Sequence, residues 1–383
     1  MIRHAIYLAW RHLVASPWRT AILVICTSVA LFLPLFTMRT ASLLEGALLA
    51  RATSSPILVG SRGDPFDLTL AALYFRGSVA DTLPLGAAER LRPYGRALPL
   101  HVGHTASGTP VVGTDASYLD ARQLQVSEGR RFALLGEVVA GANAARAFGL
   151  EPGGKLRTDL TNLYNLAGAY PFVLEVVGVL APTGTADDDA FFVDLRTSWM
   201  LDGAVHGHVE VTDDQAIGSD EAGNLEASAA IFLAQEVNDD TRASFHLHGD
   251  PSELPVTGFL VYPSDTRRHD QLLGELALDD SLAAVRPVDI VRTIFGIVLR
   301  LQDGLNVAFA LVAAATVGFF GLTMALTLRL RSAELMLLRR LGSSRYAVAW
   351  IVGTEIAFLS LTAACIGGLA AWLGAAQVAL ALH

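Results

Sequence analysis

The stretch RLRSAELMLLRRLGSSR (residues 329–345) holds five arginines and one glutamate, and it lies between two of the most apolar segments of the chain. Residues 304–328 run for 25 positions without a charged side chain, and residues 356–382 for 27. A helix needs about 20 apolar residues to cross a bilayer core. A short charged run bounded in this way connects two membrane spans, which makes the chain a helical membrane protein.

Composition agrees. The 383 residues are 52% hydrophobic and 17% charged, with a mean hydropathy of +0.44, too apolar for an ordinary soluble enzyme. A third uncharged segment, residues 20–38, covers 19 positions. It is longer than the apolar core of a secretory signal, about 7 to 15 residues, and no A-x-A cleavage site follows, so it reads as a retained span.

Charge sets the orientation. Residues 1–39 carry four arginines and no acid, and residues 304–383 carry five arginines and two glutamates. The 264 residues between hold 19 basic and 35 acidic side chains, a net of −16. Arginine-rich short flanks stay on the cytoplasmic side. The N-terminus and the 329–345 loop are therefore expected in the cytoplasm, and the acidic block outside. Both cysteines, Cys26 and Cys365, fall in the apolar segments, leaving the outer block no disulfide to form.

The expected architecture is an α-helical membrane protein of three transmembrane helices, with a large α+β extracytoplasmic domain inserted between the first and the second. Residues 1–18, with IRHAIYLAWRHLVA (residues 2–15), form a cytoplasmic amphipathic helix broken at Ser16-Pro17. The first span is 19–39 and the outer domain 40–303, with stalk helices at about 40–52 and 288–303. The second span is 304–328, the cytoplasmic helix loop 329–345 and the third span 346–382. Within the outer domain PILVG, GTPVVGT, GEVVAG, FVLEVVGVL, AFFVDL and TGFLVYP read as strands. ANAARAFGL reads as a helix stopped by Gly149, and SDTRRHDQLLGELAL as a helix with a Ser/Asp start. Residues 203–253, acidic and rich in Gly and His, read mainly as an inserted loop.

Catalytic motifs are absent from the sequence: it has no Walker A pattern, no G-x-S-x-G, no H-E-x-x-H and no cysteine metal cluster. The chain is not expected to be an enzyme, to bind a nucleotide itself or to bind nucleic acid. The metal candidates are the two H-x-H pairs that flank the acidic insert, His206 with His208 and His246 with His248. In an extended strand residues i and i+2 share a face, so each pair offers two imidazoles to a zinc ion, or else sits in a solvated loop among acids. His101 and His104 are weaker candidates. Glu355 is the only acid inside a span. An intramembrane carboxylate has either a functional role or a structural one, as hydrogen-bond partner to a neighbouring helix or to nearby arginines. Ala310, Ala314 and Gly318 in the second span, and Gly367, Ala371 and Ala375 in the third, recur every four residues, a pattern that serves intrachain packing or dimerisation equally.

In the opening stretch Leu335, Leu338 and Leu341 recur at i, i+3 and i+6, and Gly342 is placed to end a short amphipathic helix at the membrane face. This run resembles the FtsX-like, or MacB-type, ABC transporter permease family, whose pattern R-x-x-E-x-x-x-L-R-x-L-G-x-x-R, followed by a glutamate within a span, is met by Arg331, Glu334, Leu338, Arg339, Leu341, Gly342, Arg345 and Glu355. LAWRHLVASPWRTAILVI (residues 8–25) is similar to the family's start. GEVVAGANAARAFGLEPGGKL and FVLEVVGVLAPTGTADDDAFFVDL are similar to its extracytoplasmic core. The resemblance implies that the segment bearing Arg331, Glu334, Leu335, Leu338, Arg339, Arg340, Leu341, Gly342 and Arg345 docks on a separate ATPase that carries ATP and Mg, and that this chain moves a periplasmic domain for export or extraction of an envelope substrate. An FtsX-like regulator of a cell-wall hydrolase and a zinc-linked transport component are the alternatives. The implied setting is the bacterial inner membrane, among lipid, with a second permease copy and a periplasmic adaptor or substrate-binding protein as further partners. The family normally has four spans. Only 35 residues, 348–382, follow the loop here, which suffices for one crossing, so the fourth helix is expected to be absent.

Overall fold

The computed structural model describes residues 2–159, 171–207, 216–219, 225–227, 236–239, 241–247, 249–340 and 345–382. The chain divides into two compact units, one built from Met1–Gly46 with Ile294–Leu382 and the other from Ala47–Thr293.

The first unit is helical. Helix Ile2–Ala15 ends at Ser16, and Pro17 occupies the first position of the next helix, Pro17–Thr53. A proline there lacks an N–H that would be unpaired anyway, while it bars the preceding residue from helical geometry. Thr20 Oγ1 donates to the Leu13 carbonyl across the break at 3.0 Å. Among the described residues three helices are long and apolar enough to cross a membrane: Pro17–Thr53, Pro287–Leu330 and Ala349–Ala379.

The two small-residue stripes have different fates. In the third helix Gly367, Ala371 and Ala375 are buried, and Gly367 meets the first. A Cβ at Gly367 would stand 2.7 Å from the Ser28 carbonyl oxygen, so the backbones approach there as only glycine permits. Ser28 Oγ donates to the Ala363 carbonyl at 3.1 Å beside it. In the second helix Ala310, Ala314 and Gly318 are exposed in the single chain.

The second unit is an α+β domain around a ten-stranded sheet. From one edge the strands run Leu282–Val285, Ile57–Ser61, Gly258–Pro263, Gly95–Ala106, Thr109–Thr114, Phe191–Asp194, Glu137–Ala140, Val173–Leu180 and Val126–Gly129, with Lys155–Arg157 also paired to Val173–Leu180. Thr109–Thr114 with Phe191–Asp194, and Glu137–Ala140 with Val173–Leu180, are parallel; the other pairs are antiparallel. Alternate residues bury on opposite faces. Val59, Val111, Val138, Phe191 and Phe259 belong to one core, and their neighbours Leu58, Val112, Val139, Phe192 and Leu260 to the other. A sheet covered on both faces explains why its strands read as continuous apolar runs. Helices Pro65–Tyr74 and Ala116–Ala121 cover one face, and Ala142–Phe148, Leu195–Leu201 and Thr266–Leu276 the other.

All six runs read as strands are strands here. Helix Ala142–Phe148 ends on Gly149 in the left-handed region (φ 61°), and Asp265 caps Thr266–Leu276 by accepting from Arg268 N at 2.8 Å. The insert differs from the expected loop. Val205–Gly207 pairs with Phe245–Leu247, and Ala216–Ser219 with Leu225–Ala227. Strands of three or four residues are too short to leave a period in the sequence.

Candidate functional site

Three buried clusters of ionisable side chains stand out among the described residues. The first surrounds Glu355, which lies in helix Arg345–Leu382 and is 1% exposed. His12 Nδ1 is 2.8 Å from Oε1, Arg19 Nη2 is 3.3 Å from the same oxygen, and Arg331 Nη1 is 3.4 Å from Oε2. Arg19 Nη1 also donates to Thr327 Oγ1 at 2.9 Å. His12 Nδ1 is 3.2 Å from Arg19 Nη2, but one nitrogen cannot both give a proton to Glu355 and accept one from Arg19. The shorter contact, to a carboxylate, takes precedence. One acid thus joins helices Ile2–Ala15, Pro17–Thr53, Pro287–Leu330 and Arg345–Leu382 through Arg331, which immediately follows the third of these.

This places the residues read from the opening stretch. Helix Ser332–Arg340 follows Arg331 directly, and Arg340, Met336 and Leu337 are exposed on it. The side chains of Glu334, Leu335, Leu338, Arg339 and Arg345, and the whole of Leu341 and Gly342, lie outside the described residues.

The second cluster surrounds Asp187, also 1% exposed, on the turn Ala186–Asp189. Arg51 grips it with two nitrogens, Nη1 on Oδ2 and Nη2 on Oδ1, the latter at 3.0 Å. Tyr118 Oη donates to Oδ1 at 2.8 Å, Thr185 Oγ1 to Oδ2 at 2.9 Å, and Arg122 Nη2 lies 3.6 Å from Oδ2. Arg51 stands in the last turn of helix Pro17–Thr53, and its Nε donates to the Leu73 carbonyl. Its guanidinium lies 5.2 Å from the centre of the Phe75 ring. Phe75 holds a left-handed backbone (φ 54°), an uncommon state for a bulky residue, kept here by its packing. Burial by itself would raise the Asp187 pKa; the charge and hydrogen bonds of Arg51 outweigh it and hold the carboxyl at about 2. Burial, with Asp187 beside it, pushes the Tyr118 phenol upward.

The third cluster is His101, His104 and Asp202. Both histidines lie on strand Gly95–Ala106, where positions three apart would normally face opposite ways. The register shifts between Val102 and His104: His101 pairs with Gly113, Val102 with Val112 and His104 with Val111, which leaves Gly103 unpaired. This bulge brings His101 and His104 to one face. Asp202, the C-cap of helix Leu195–Leu201, places Oδ1 2.7 Å from His104 Nε2 and Oδ2 2.8 Å from His101 Nε2. Its partial burial opposes ionisation, but the two imidazoles prevail and hold its pKa below the usual carboxylate range.

The four histidines favoured in the sequence are placed only in part. His206 and His246 face each other across the Val205–Gly207 and Phe245–Leu247 pairing, and His246 is exposed. The His206 side chain, His208 and His248 lie outside the described residues. Arg51 and Asp187 were missed by sequence reasoning. The available signals were a single arginine one residue before Ala52 in an apolar stripe, and three aspartates set between two strands.

Residues 35–227 match the MacB-like periplasmic core domain. The chain is similar to the periplasmic region of MacB from Actinobacillus actinomycetemcomitans, with 13% identity, 63% of this chain and 92% of that one covered, and a TM-score of 0.35. It is also similar to the extracellular domain of the noncanonic ABC-type transporter YknZ from Gram-positive bacteria, with 12% identity, coverage of 60% and 98%, and a TM-score of 0.32. No match is found among curated proteins.

Proposed function

The chain belongs to the MacB-like periplasmic core domain family, a component of ABC transporter permeases, and on that premise we propose that it works by mechanotransmission. A separate ATPase subunit binds ATP with Mg and hydrolyses the ATP. The segment at residues 329–345 docks on that subunit, the spans move, and the α+β domain acts on an envelope substrate in the periplasm. Three spans cross the bacterial inner membrane with the N-terminus in the cytoplasm, and two copies of the chain pair with two ATPases.

The observation that carries this reading is the position of Arg51. Helix Pro17–Thr53 holds an apolar segment at residues 20–38 and ends in a guanidinium bound at two points to a fully buried acid. A helix that only anchored a domain would need no such grip. Two charges taken out of water cost several kcal/mol each unless well paired, so the contact sets geometry more than it adds stability. Arg331 supports the same reading at the other end. It directly precedes helix Ser332–Arg340 and is tied through Glu355 to the helices that carry His12 and Arg19. Displacement of the docking helix therefore has a polar connection to follow.

Co-purification with the ATPase tests the docking: the double variant Leu338→Asp with Arg339→Glu should abolish association, and full retention would refute it. Arg51→Met should leave association and ATP hydrolysis in place and uncouple them from work on the periplasmic substrate.

A further inference from the structure

We propose that His101, His104 and Asp202 form a divalent-metal site of the two-histidine, one-carboxylate type, suited to Zn²⁺. The site goes beyond the transport reading and does not depend on it.

The donor set is the first argument. Two imidazoles and a carboxylate are the ligands of a borderline divalent cation, and three protein ligands leave a position for water. One ligand atom from each residue lies within 4.8 Å of the others. Tetrahedral zinc with bonds of about 2.0–2.1 Å spaces its ligand atoms about 3.3–3.4 Å apart. The present contacts of 2.7 and 2.8 Å therefore open by roughly half an ångström when the ion enters. Asp202 can supply that movement, since its side chain is 28% exposed at the end of a helix, whereas His101 and His104 are fixed on a paired strand.

The state of His101 is the second argument, independent of the first. The residue is 5% exposed, yet among the described residues Nδ1 has no hydrogen-bond partner and Nε2 has only the close approach of Asp202 Oδ2 at 2.8 Å. The carboxylate that approaches Nε2 is the same one that approaches His104, so both imidazoles converge on Asp202. Buried polar atoms are satisfied almost without exception, and an orphan in a native fold calls for a missing water or ion. An ion held between the two Nε2 atoms and the carboxylate would give this convergent set a common partner.

The bulge in strand Gly95–Ala106 serves the same site. A regular strand would send His104 to the opposite face from His101; leaving Gly103 unpaired interrupts the ladder and brings both imidazoles to Asp202. Bound metal would cross-link the strand Gly95–Ala106 to the helix Leu195–Leu201.

Titration of the tag-free full chain in detergent with ZnCl₂, followed by calorimetry, tests the site, and Co²⁺ absorption reports its geometry. The expected result is one ion per chain at micromolar or lower Kd, with a tetrahedral Co²⁺ spectrum. His104→Asn and Asp202→Asn should each weaken binding at least tenfold, and His246→Asn should leave it unchanged. Asp202→Asn, at a partly exposed position, keeps the test open if His104→Asn fails to fold. No binding below about 100 μM metal, or binding that survives Asp202→Asn but is lost in His246→Asn, would overturn the proposal.

Discussion

Asp187 and Glu355 are each 1% exposed and each is answered by more than one base, but they are answered in different ways. Asp187 takes a two-point grip from Arg51, a phenol and a hydroxyl, all from side chains within one domain. Glu355 takes single contacts of 2.8, 3.3 and 3.4 Å from three bases, and those bases, His12, Arg19 and Arg331, are 17–24% exposed. The tight cluster fixes one geometry, because each carboxylate oxygen accepts two hydrogen bonds and loss of Arg51 would leave a buried charge without its main partner. The looser cluster links several helices while each base keeps contact with its surroundings, so one connection can be lost without leaving the acid alone. Under the proposed function these are the parts of a fixed joint and a movable one.

The largest effect is expected at the tight cluster. Asp187→Ala leaves Arg51 and Arg122 buried without their acid and should cost about 3–5 kcal/mol, read as a lowered unfolding midpoint of the full chain in detergent. A loss below 1 kcal/mol would show that the domain relaxes around the site, and the contrast with Glu355 would disappear.

The pH dependence should come next in size. Asp187 is held at about 2, below the ordinary value of 3.8, so its contribution is present above about pH 4 and is lost as the pH falls towards 2. The difference in stability between the wild type and Asp187→Asn should shrink by about 2 kcal/mol across that interval. A difference that stays constant with pH would mean that the carboxyl is not depressed.

Glu355→Gln should cost less, about 1–2 kcal/mol, because the partly exposed arginines can rehydrate. Its clearer signature should be functional: ATP hydrolysis in the complex persists while its coupling to the periplasmic domain falls. An effect on stability equal to that of Asp187→Ala would make the two clusters alike. His12→Ala should be smallest, under about 1 kcal/mol, since Arg19 and Arg331 still face the acid. A larger loss would identify the histidine contact, the shortest of the three, as the one that holds the helices together.

The small-residue stripes show how far sequence could go. Gly367, Ala371 and Ala375 have the same spacing as Ala310, Ala314 and Gly318, and both patterns announce close helix packing. One is buried, with Gly367 against the first helix of the same chain, and the other is exposed, a distinction that spacing cannot carry because it depends on which surface arrives. The strand Gly95–Ala106 was illegible for a related reason. Gly95, Pro99 and Gly103 break its apolar alternation, and only pairing on both sides makes it a strand.

By itself the sequence determined the features set by local chemistry and counting: three apolar segments of spanning length, the acidic block between arginine-rich flanks, the six β-branched runs, and the cap at Gly149. Tertiary structure alone decided which charges meet. Arg51 and Asp187 are 136 positions apart, His12 and Glu355 343, and His104 and Asp202 98. A side chain's local neighbours give it a propensity for helix, strand or turn, but the partner that makes a buried charge tolerable is chosen by the packing that excludes water around both.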